Sequence, residues 1–313
     1  MRNFLRNSAL FLCFTIIIVV LIQAIISFRI KGKAITGYDT WDATANINAD
    51  LVLLGSSRCW AHFDPRFFEK TYHLKAVNIG MNGHSELPAS ILRLKNYLEK
   101  NKAPKFAILS FDPATVPGNF EHNNNFINKN NYARFAFLPT KENTDLIDYF
   151  KFNTYERYVP LYALFKYQLL QDAVTLKNTA LFSEGFELNN ERWDTIKNPI
   201  SGAMKEHFVK TSQIPLLLQQ LSMLKTLCQK NNIQLLCIQT PAYKSCYDPM
   251  AFQKSATICK QLGIPFIDAN TIAIRSAISN FYNETHLNKT GIIQMNKLLK
   301  NEKELDTIFK INP

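Results

Sequence analysis

The sequence predicts an α/β protein built on a five-stranded parallel sheet, with one membrane-spanning helix at its N-terminus and a helical insertion after the third strand. Three observations carry this. Short apolar runs bounded by turn residues alternate with segments of helical period, the pattern of strands buried on both faces. That rhythm breaks once, over residues 114–205, and then resumes. Residues 7–28 contain no charged side chain.

The N-terminal stretch comes first. Leu10–Ile26 is almost entirely apolar, with Arg2 and Arg6 before it and Arg29, Lys31 and Lys33 after it. A run of about 20 apolar residues spans a bilayer as a helix. Gln23-Ala-Ile-Ile-Ser27 lacks the small-x-small spacing of a cleavage site, so residues 1–30 read as an uncleaved anchor. Positive charge on both flanks makes orientation a weak inference. We expect the N-terminus in the cytoplasm and the body beyond the inner membrane; the alternative is a single-pass protein facing the cytoplasm. Residues 31–49 form a polar linker, and residues 50–313 the main domain.

Asp50–Leu54 is the first strand, ending on Gly55-Ser-Ser57. A short helix, a turn at Asp64-Pro65 and a second helix follow. Ala76-Val-Asn-Ile-Gly-Met-Asn-Gly83 is a strand entering a glycine loop, and Ser85 is the expected cap of a helix whose apolar face is Leu87, Ile91, Leu94 and Leu98. Lys105–Phe111 is the third strand, stopped by Asp112-Pro113. The interruption holds an asparagine-rich loop, Glu121–Asn131, and aromatic-rich helical segments over Asp148–Tyr158 and Tyr162–Tyr167. Because the insertion leaves a strand's carboxyl end it could cap a site there; its aromatics read as packing. The last part gives a helical face from Ile214 to Cys228, strands at Ile233–Thr240 and Pro265–Asp268, helices at Met250–Leu262 and Lys289–Leu299, and a loop at Phe281–Asn288.

Composition is that of a globular chain with a large core: 313 residues, 47% hydrophobic and 19% charged. A net charge of +11 suits an anionic surface or polymer. There is no nucleic-acid motif and no dense Lys/Arg block, so nucleic acid is not an expected partner. The six cysteines include no C-x-x-C pair, and no His/Cys spacing suggests zinc. Cys246 with Cys259 could form a disulfide outside the cytoplasm; the sequence leaves that open.

In open parallel sheets, ligands sit at the carboxyl ends of the strands. Ser57 stands at such an end, and His286, in the loop before the last helix, reaches the same edge. A serine hydroxyl becomes a competent nucleophile when an imidazole takes its proton. The backbone N–H groups of Ser57 and Gly80 are the expected oxyanion donors. Taken alone, Gly55-Ser-Ser57 reads as a capped strand-to-helix turn, and Arg58 and His62 as supports of the Asp64-Pro65 turn.

Three blocks together resemble the SGNH/GDSL hydrolase superfamily: Gly55-Ser-Ser57 after a strand, Asn78-Ile-Gly-Met-Asn-Gly83, and Asn283-Glu-Thr-His286 near the C-terminus. Leu54–Arg58 with His62-Phe-Asp-Pro65 and Phe281–Asn288 is similar to membrane-anchored bacterial members, distantly related to the D-alanyl-lipoteichoic acid biosynthesis protein and to polysaccharide O-acetylation proteins. The resemblance spans residues 50–113 and 216–299. It implies a flavodoxin-like three-layer sandwich, Ser57 as nucleophile, His286 as base, Gly80 as an oxyanion donor, and neither metal nor organic cofactor. Arg58, Asn82 and Asp112 fall beside that site.

The family has Asp where this chain has Asn283. In serine proteases the same exchange costs about 10⁴ in turnover through the wrong imidazole tautomer. Three readings follow: a backbone carbonyl orients His286, Glu284 or Asp268 substitutes, or the site is weak. The family's Gly-x-Asn-Asp block is also replaced, by Ser110-Phe-Asp-Pro113. The expected function is a membrane-anchored serine esterase or O-acyltransferase acting on acyl groups of envelope glycans or lipids, alone or beside a multispanning acyltransferase. The alternative is a catalytically weak or inactive protein of the same fold that binds or assembles envelope polysaccharide.

Overall fold

The computed structural model describes residues 1–30, 41, 44–117, 129, 132–137, 144–170, 185–186 and 188–310. Most of the asparagine-rich loop and of the 31–49 linker's first half lies outside them. The chain divides into two compact units, Met1–Ala43 with Asn119–Ala180, and Thr44–Gly118 with Leu181–Pro313. The interruption expected over 114–205 is therefore split: 119–180 groups with the N-terminal segment, and residues from 181 onward belong with the sheet.

In chain order, helix α1 (Arg2–Ile30) precedes strand β1 (Leu51–Leu54), α2 (Ser57–His62), α3 (Pro65–Tyr72), β2 (Ala76–Asn78), α4 (Leu87–Lys100) and β3 (Phe106–Ser110). Short helices α5 (Thr144–Phe150), α6 (Thr154–Tyr158) and α7 (Tyr162–Lys166) follow. The sheet unit then resumes with α8 (Ile214–Lys230), β4 (Gln234–Gln239), α9 (Pro249–Gln261), β5 (Phe266–Asp268) and α10 (Ile272–Arg275). It closes with β6 (Phe281–Asn283), β7 (His286–Leu287), α11 (Lys289–Lys300) and α12 (Lys303–Lys310).

The five-stranded sheet has the order β2-β1-β3-β4-β5, and every pairing in it is parallel. That is the flavodoxin-like doubly wound order. Alternation along the strands divides the core into two layers. Leu51, Leu53, Ile108 and Ile238 face one side, with Phe68, Met295 and Phe309 from the helices. Val52, Leu54, Leu109 and Cys237 face the other, with Leu94, Leu221 and Ile258. Burying one such aliphatic side chain is worth about 1.5–3 kcal/mol, so the four buried residues of β1 hold the strand's register firmly. Beyond β1, Gly55 has φ +142°, and a Cβ there would lie 2.9 Å from the Cβ atoms of Cys59 and Ser110. Only glycine lets the chain turn so close to β3.

Two local expectations are corrected. Ser85 does not cap α4: Glu86 holds that position without a side-chain bond. The helix needs no such cap because the Leu87 N–H donates to the Val116 carbonyl, and Pro88 in the first turn has no N–H to satisfy. The segment Phe281–Asn288 is not a loop but the antiparallel β6–β7 hairpin, with Asn283 opposite His286. The disulfide option is not realised, since Cys246 and Cys259 are both free. They sit in separate apolar clusters, Cys246 with Met204 and Phe252 and Cys259 in the sheet layer.

In the other unit, α1 is long and apolar enough to cross a membrane. Around the insertion helices, Tyr132 stacks on Phe150 with centroids 4.5 Å apart, and Trp41 packs edge-on to Tyr132. Buried Glu156 closes a capping box with Asn153 and binds Lys166 Nζ at 2.5 Å.

Candidate active site

Ser57 is the first residue of α2. Its predecessor Ser56 caps that helix, accepting from the Arg58 N–H at 3.3 Å. The β1 strand and the Gly55 turn thus deliver the Ser57 hydroxyl to the carboxyl edge of the sheet. His286 opens β7, and its Nε2 lies 2.9 Å from Ser57 Oγ.

The other face of the imidazole meets Asn283. Its Oδ1 is 3.0 Å from His286 Nδ1 and also accepts the backbone N–H groups of Thr285 and His286, each at 3.0 Å. An amide NH₂ could not receive those two donors, so they fix the orientation of the Asn283 side chain. With the carbonyl oxygen turned toward His286, Nδ1 carries the imidazole proton and Nε2 is left bare toward Ser57. The Thr285 hydroxyl completes the cradle, 3.2 Å from Asn283 Oδ1 and 3.0 Å from His286 Nδ1. Tyr282 stacks on the ring at 5.4 Å with planes 13° apart. Neither substitute considered from sequence faces the histidine. Glu284 is bound by Ser201 Oγ, the Gly202 N–H and Ser245 Oγ, and Asp268 accepts the Asn270 N–H.

Burial, and then the positive charge of Arg58, push the His286 pKa down from 6.5 to about 3. The imidazole is therefore neutral at physiological pH and able to take a proton. Burial would raise Glu284, but its hydrogen bonds from Ser245, Ser201 and Gly202 outweigh that and hold it below the usual range.

Arg58 and His62 do more than hold a turn, which corrects the plain reading of both. Arg58 is buried and pairs with buried Asp112 at 2.7 Å. It also donates to the Thr240 carbonyl at 2.6 Å and the Pro241 carbonyl at 3.2 Å, tying together the ends of β1, β3 and β4. Asp112 is thus held by Arg58 through one oxygen and by the Ala114 N–H, at 3.0 Å, through the other. His62 is fully buried, and its Nε2 accepts the Leu287 N–H at 3.0 Å. That bond pins the residue after His286 to α2. Burial, then Arg58 and His286, keep His62 well below its ordinary pKa, so it remains a neutral acceptor. The sequence around His62 carries no local signal of this role, because the bond joins two segments far apart in the chain.

The glycine loop differs from expectation. The Gly80 N–H donates to Asn78 Oδ1 at 3.0 Å instead of standing free as an oxyanion donor. Asn78 in turn donates to the Cys59 and Phe63 carbonyls at 2.9 and 3.0 Å. A Cβ at Gly80 would lie 3.0 Å from the Ser56 carbonyl, so the loop passes close behind the nucleophile turn. Asn82 lies in the following turn, half-buried.

No family model matches the chain, and no curated protein is similar to it in sequence. Among solved structures, the chain is similar to a candidate acylhydrolase of Bacteroides fragilis, with 12% identity over 83% of this chain and 87% of that one, TM-score 0.34. It is likewise similar to a GDSL-like lipase of Bacteroides thetaiotaomicron, with 12% identity over 83% of this chain and 88% of that one, TM-score 0.35. At these values neither likeness assigns chemistry, which rests on the residues themselves.

Proposed function

We propose that the chain is a serine hydrolase of the SGNH type that cleaves or transfers acyl esters. The observation that carries this is the line Ser57 Oγ, His286 Nε2, His286 Nδ1 and Asn283 Oδ1, with contacts of 2.9 and 3.0 Å. In this reading Ser57 Oγ attacks the ester carbonyl as its proton passes to His286 Nε2. Asn283 supports the imidazolium through Nδ1–H. The oxyanion meets the Ser57 N–H at the start of α2, and the Gly80 N–H joins only by exchanging Asn78 for the substrate. The imidazolium then protonates the leaving alkoxide, and an acyl group remains on Ser57. Water, or a sugar hydroxyl deprotonated by His286, releases it.

The finer reading is a membrane-anchored enzyme, α1 being its anchor, that acts outside the inner membrane on acylated glycans or lipids of the envelope, with a multispanning acyltransferase as a potential partner. Its support is the apolar helix, the net charge of +11 and the half-buried serine–histidine pair. One observation favours the second reading, a non-catalytic polysaccharide module: the occupied Gly80 N–H leaves the oxyanion site a donor short. Detergent-solubilised full chain, offered p-nitrophenyl acetate and an O-acetylated polysaccharide, decides between them. Turnover with an initial burst, abolished by Ser57→Ala, supports the enzyme. Polysaccharide binding with no acetate release supports the module.

A further inference from the structure

Among the described residues of the N-terminal unit Tyr132, Tyr149, Phe150 and Tyr167 are buried, yet the α6–α7 hairpin turns other aromatic side chains outward. Tyr155 is 65% exposed and Phe165 64%, and Tyr158, Val159 and Tyr162 beside them are exposed as well. Tyr155 and Tyr162 lie against each other at 5.9 Å, and the Arg157 guanidinium sits over the Tyr158 ring at 5.4 Å. A patch of tyrosines edged by a cation is the composition of a membrane–water interface, where rings reach into the acyl boundary and hydroxyls stay wet.

A polar contact fastens the hairpin to α1. Gln23 is buried within this mostly apolar helix, and its Oε1 accepts the Leu161 N–H at 2.7 Å. Its Nε2 donates to Ser27 Oγ at 2.8 Å. A side-chain amide inside a span requires such partners. Leu161 meets this one from a left-handed conformation, φ +65°, which a leucine rarely adopts. The attachment also fixes a depth. Gln23 precedes Ser27, the end of the apolar span, by four residues; at about 1.5 Å per residue that is about 6 Å inside the boundary. Interfacial helices bury their apolar faces about 5–10 Å into the headgroup and acyl boundary.

We infer that the α6–α7 hairpin is an interfacial docking element, with Tyr155, Tyr158, Val159, Tyr162 and Phe165 embedded in the phospholipid surface at the C-terminal end of α1. This rests on α1 being a membrane anchor. The occupant is the bilayer rather than a second copy, because the hairpin that carries the patch is hydrogen-bonded to a helix of membrane-spanning length and composition.

The test uses the full chain carrying Cys13→Ser; Cys13 is exposed and the other five cysteines are buried. Single cysteines are introduced by Ile17→Cys in mid-span, Tyr158→Cys and Phe165→Cys on the patch, and Met250→Cys on the sheet unit, all at exposed positions. Each is nitroxide-labelled in phosphatidylcholine vesicles, and depth is read from accessibility to oxygen against a nickel chelate. The expected result is a deep Ile17 label, labels at Tyr158 and Phe165 at about 5–10 Å depth, and an aqueous Met250 label. A deep Ile17 label with aqueous Tyr158 and Phe165 labels overturns the docking element while leaving the anchor intact. An aqueous Ile17 label overturns the anchor and the docking element with it. Spin–spin broadening at Phe165 without lipid contact makes the patch a contact between copies and likewise overturns the inference.

Discussion

The two sides of the serine–histidine pair are held by different physics. The nucleophile side is fixed by burial: Leu51–Gly55 are buried, and α2 follows at once against the sheet. The base side is a two-stranded hairpin whose residues Tyr282–His286 are only half-buried, so polar contacts do most of the positioning. Asn283 holds the imidazole, His62 holds the next N–H, and Glu284 ties the turn to Ser201 and Ser245. Asn288 anchors the hairpin's root by donating to the Ser279 and Phe281 carbonyls. Apolar burial tolerates the loss of one polar group, whereas a hydrogen-bonded cradle loses geometry with each one removed. Substitutions on the base side should therefore change rate more than stability.

The largest effects belong to the pair itself. Ser57→Ala or His286→Ala should each lower ester turnover on the order of 10⁴- to 10⁶-fold, and the double variant should fall no further, because the two act as a unit. Steady-state kinetics on all three, with thermal melts as a control for folding, checks this. Asn283→Ala, which removes the tautomer-setting acceptor, should cost up to about 10⁴-fold. Asn283→Asp keeps the acceptor, adds a negative charge beside the imidazole and raises the His286 pKa. Its turnover should equal or exceed that of the parent, with the acid limb of the pH–rate profile moved upward. A large loss in Asn283→Asp would contradict the acceptor role.

His62→Leu strands the buried Leu287 N–H, a loss of about 1–3 kcal/mol, and should lower kcat by about 10- to 100-fold with little change in KM. His62→Gln, which can place an oxygen near the Nε2 position, should recover part of that loss. A purely structural His62 would give the same kcat in both variants once melting temperatures are matched. Glu284→Gln should have the smallest effect, below about tenfold, since a neutral amide still accepts from the Gly202 N–H.

Acidification probes the same comparison without mutation. Unfolded His286 takes up its proton near pH 6.5, and folded His286 only near 3. The unfolded state thus binds more protons in that window, and stability falls as pH drops below 6.5 toward 3. His62 and His84, both lowered by burial, act in the same direction. Chemical denaturation at several pH values should show this loss, while kcat/KM of the folded protein stays level from about pH 7 to 5.

The strands and long helices were legible in the sequence because their apolar periods are long and their stops explicit: Asp112-Pro113 after β3, Asn231-Asn232 after α8, Gly263 after α9. Ser57 and His286 were legible because strand ends converge at one edge of a parallel sheet. The base hairpin was not, since its strands are too short to show alternation. Nor were the partners of Arg58, His62 and Gly80, which depend on contacts between distant segments. Asn283 was legible as a position but not in its state, for only its two backbone donors decide which way the amide turns.

The most direct measurement is active-site labelling of the full chain with a fluorophosphonate, read by peptide mass mapping. The expected result is a single adduct on Ser57, absent in Ser57→Ala and strongly slowed in His286→Ala. No adduct at Ser57, or labelling unchanged by either substitution, would contradict it.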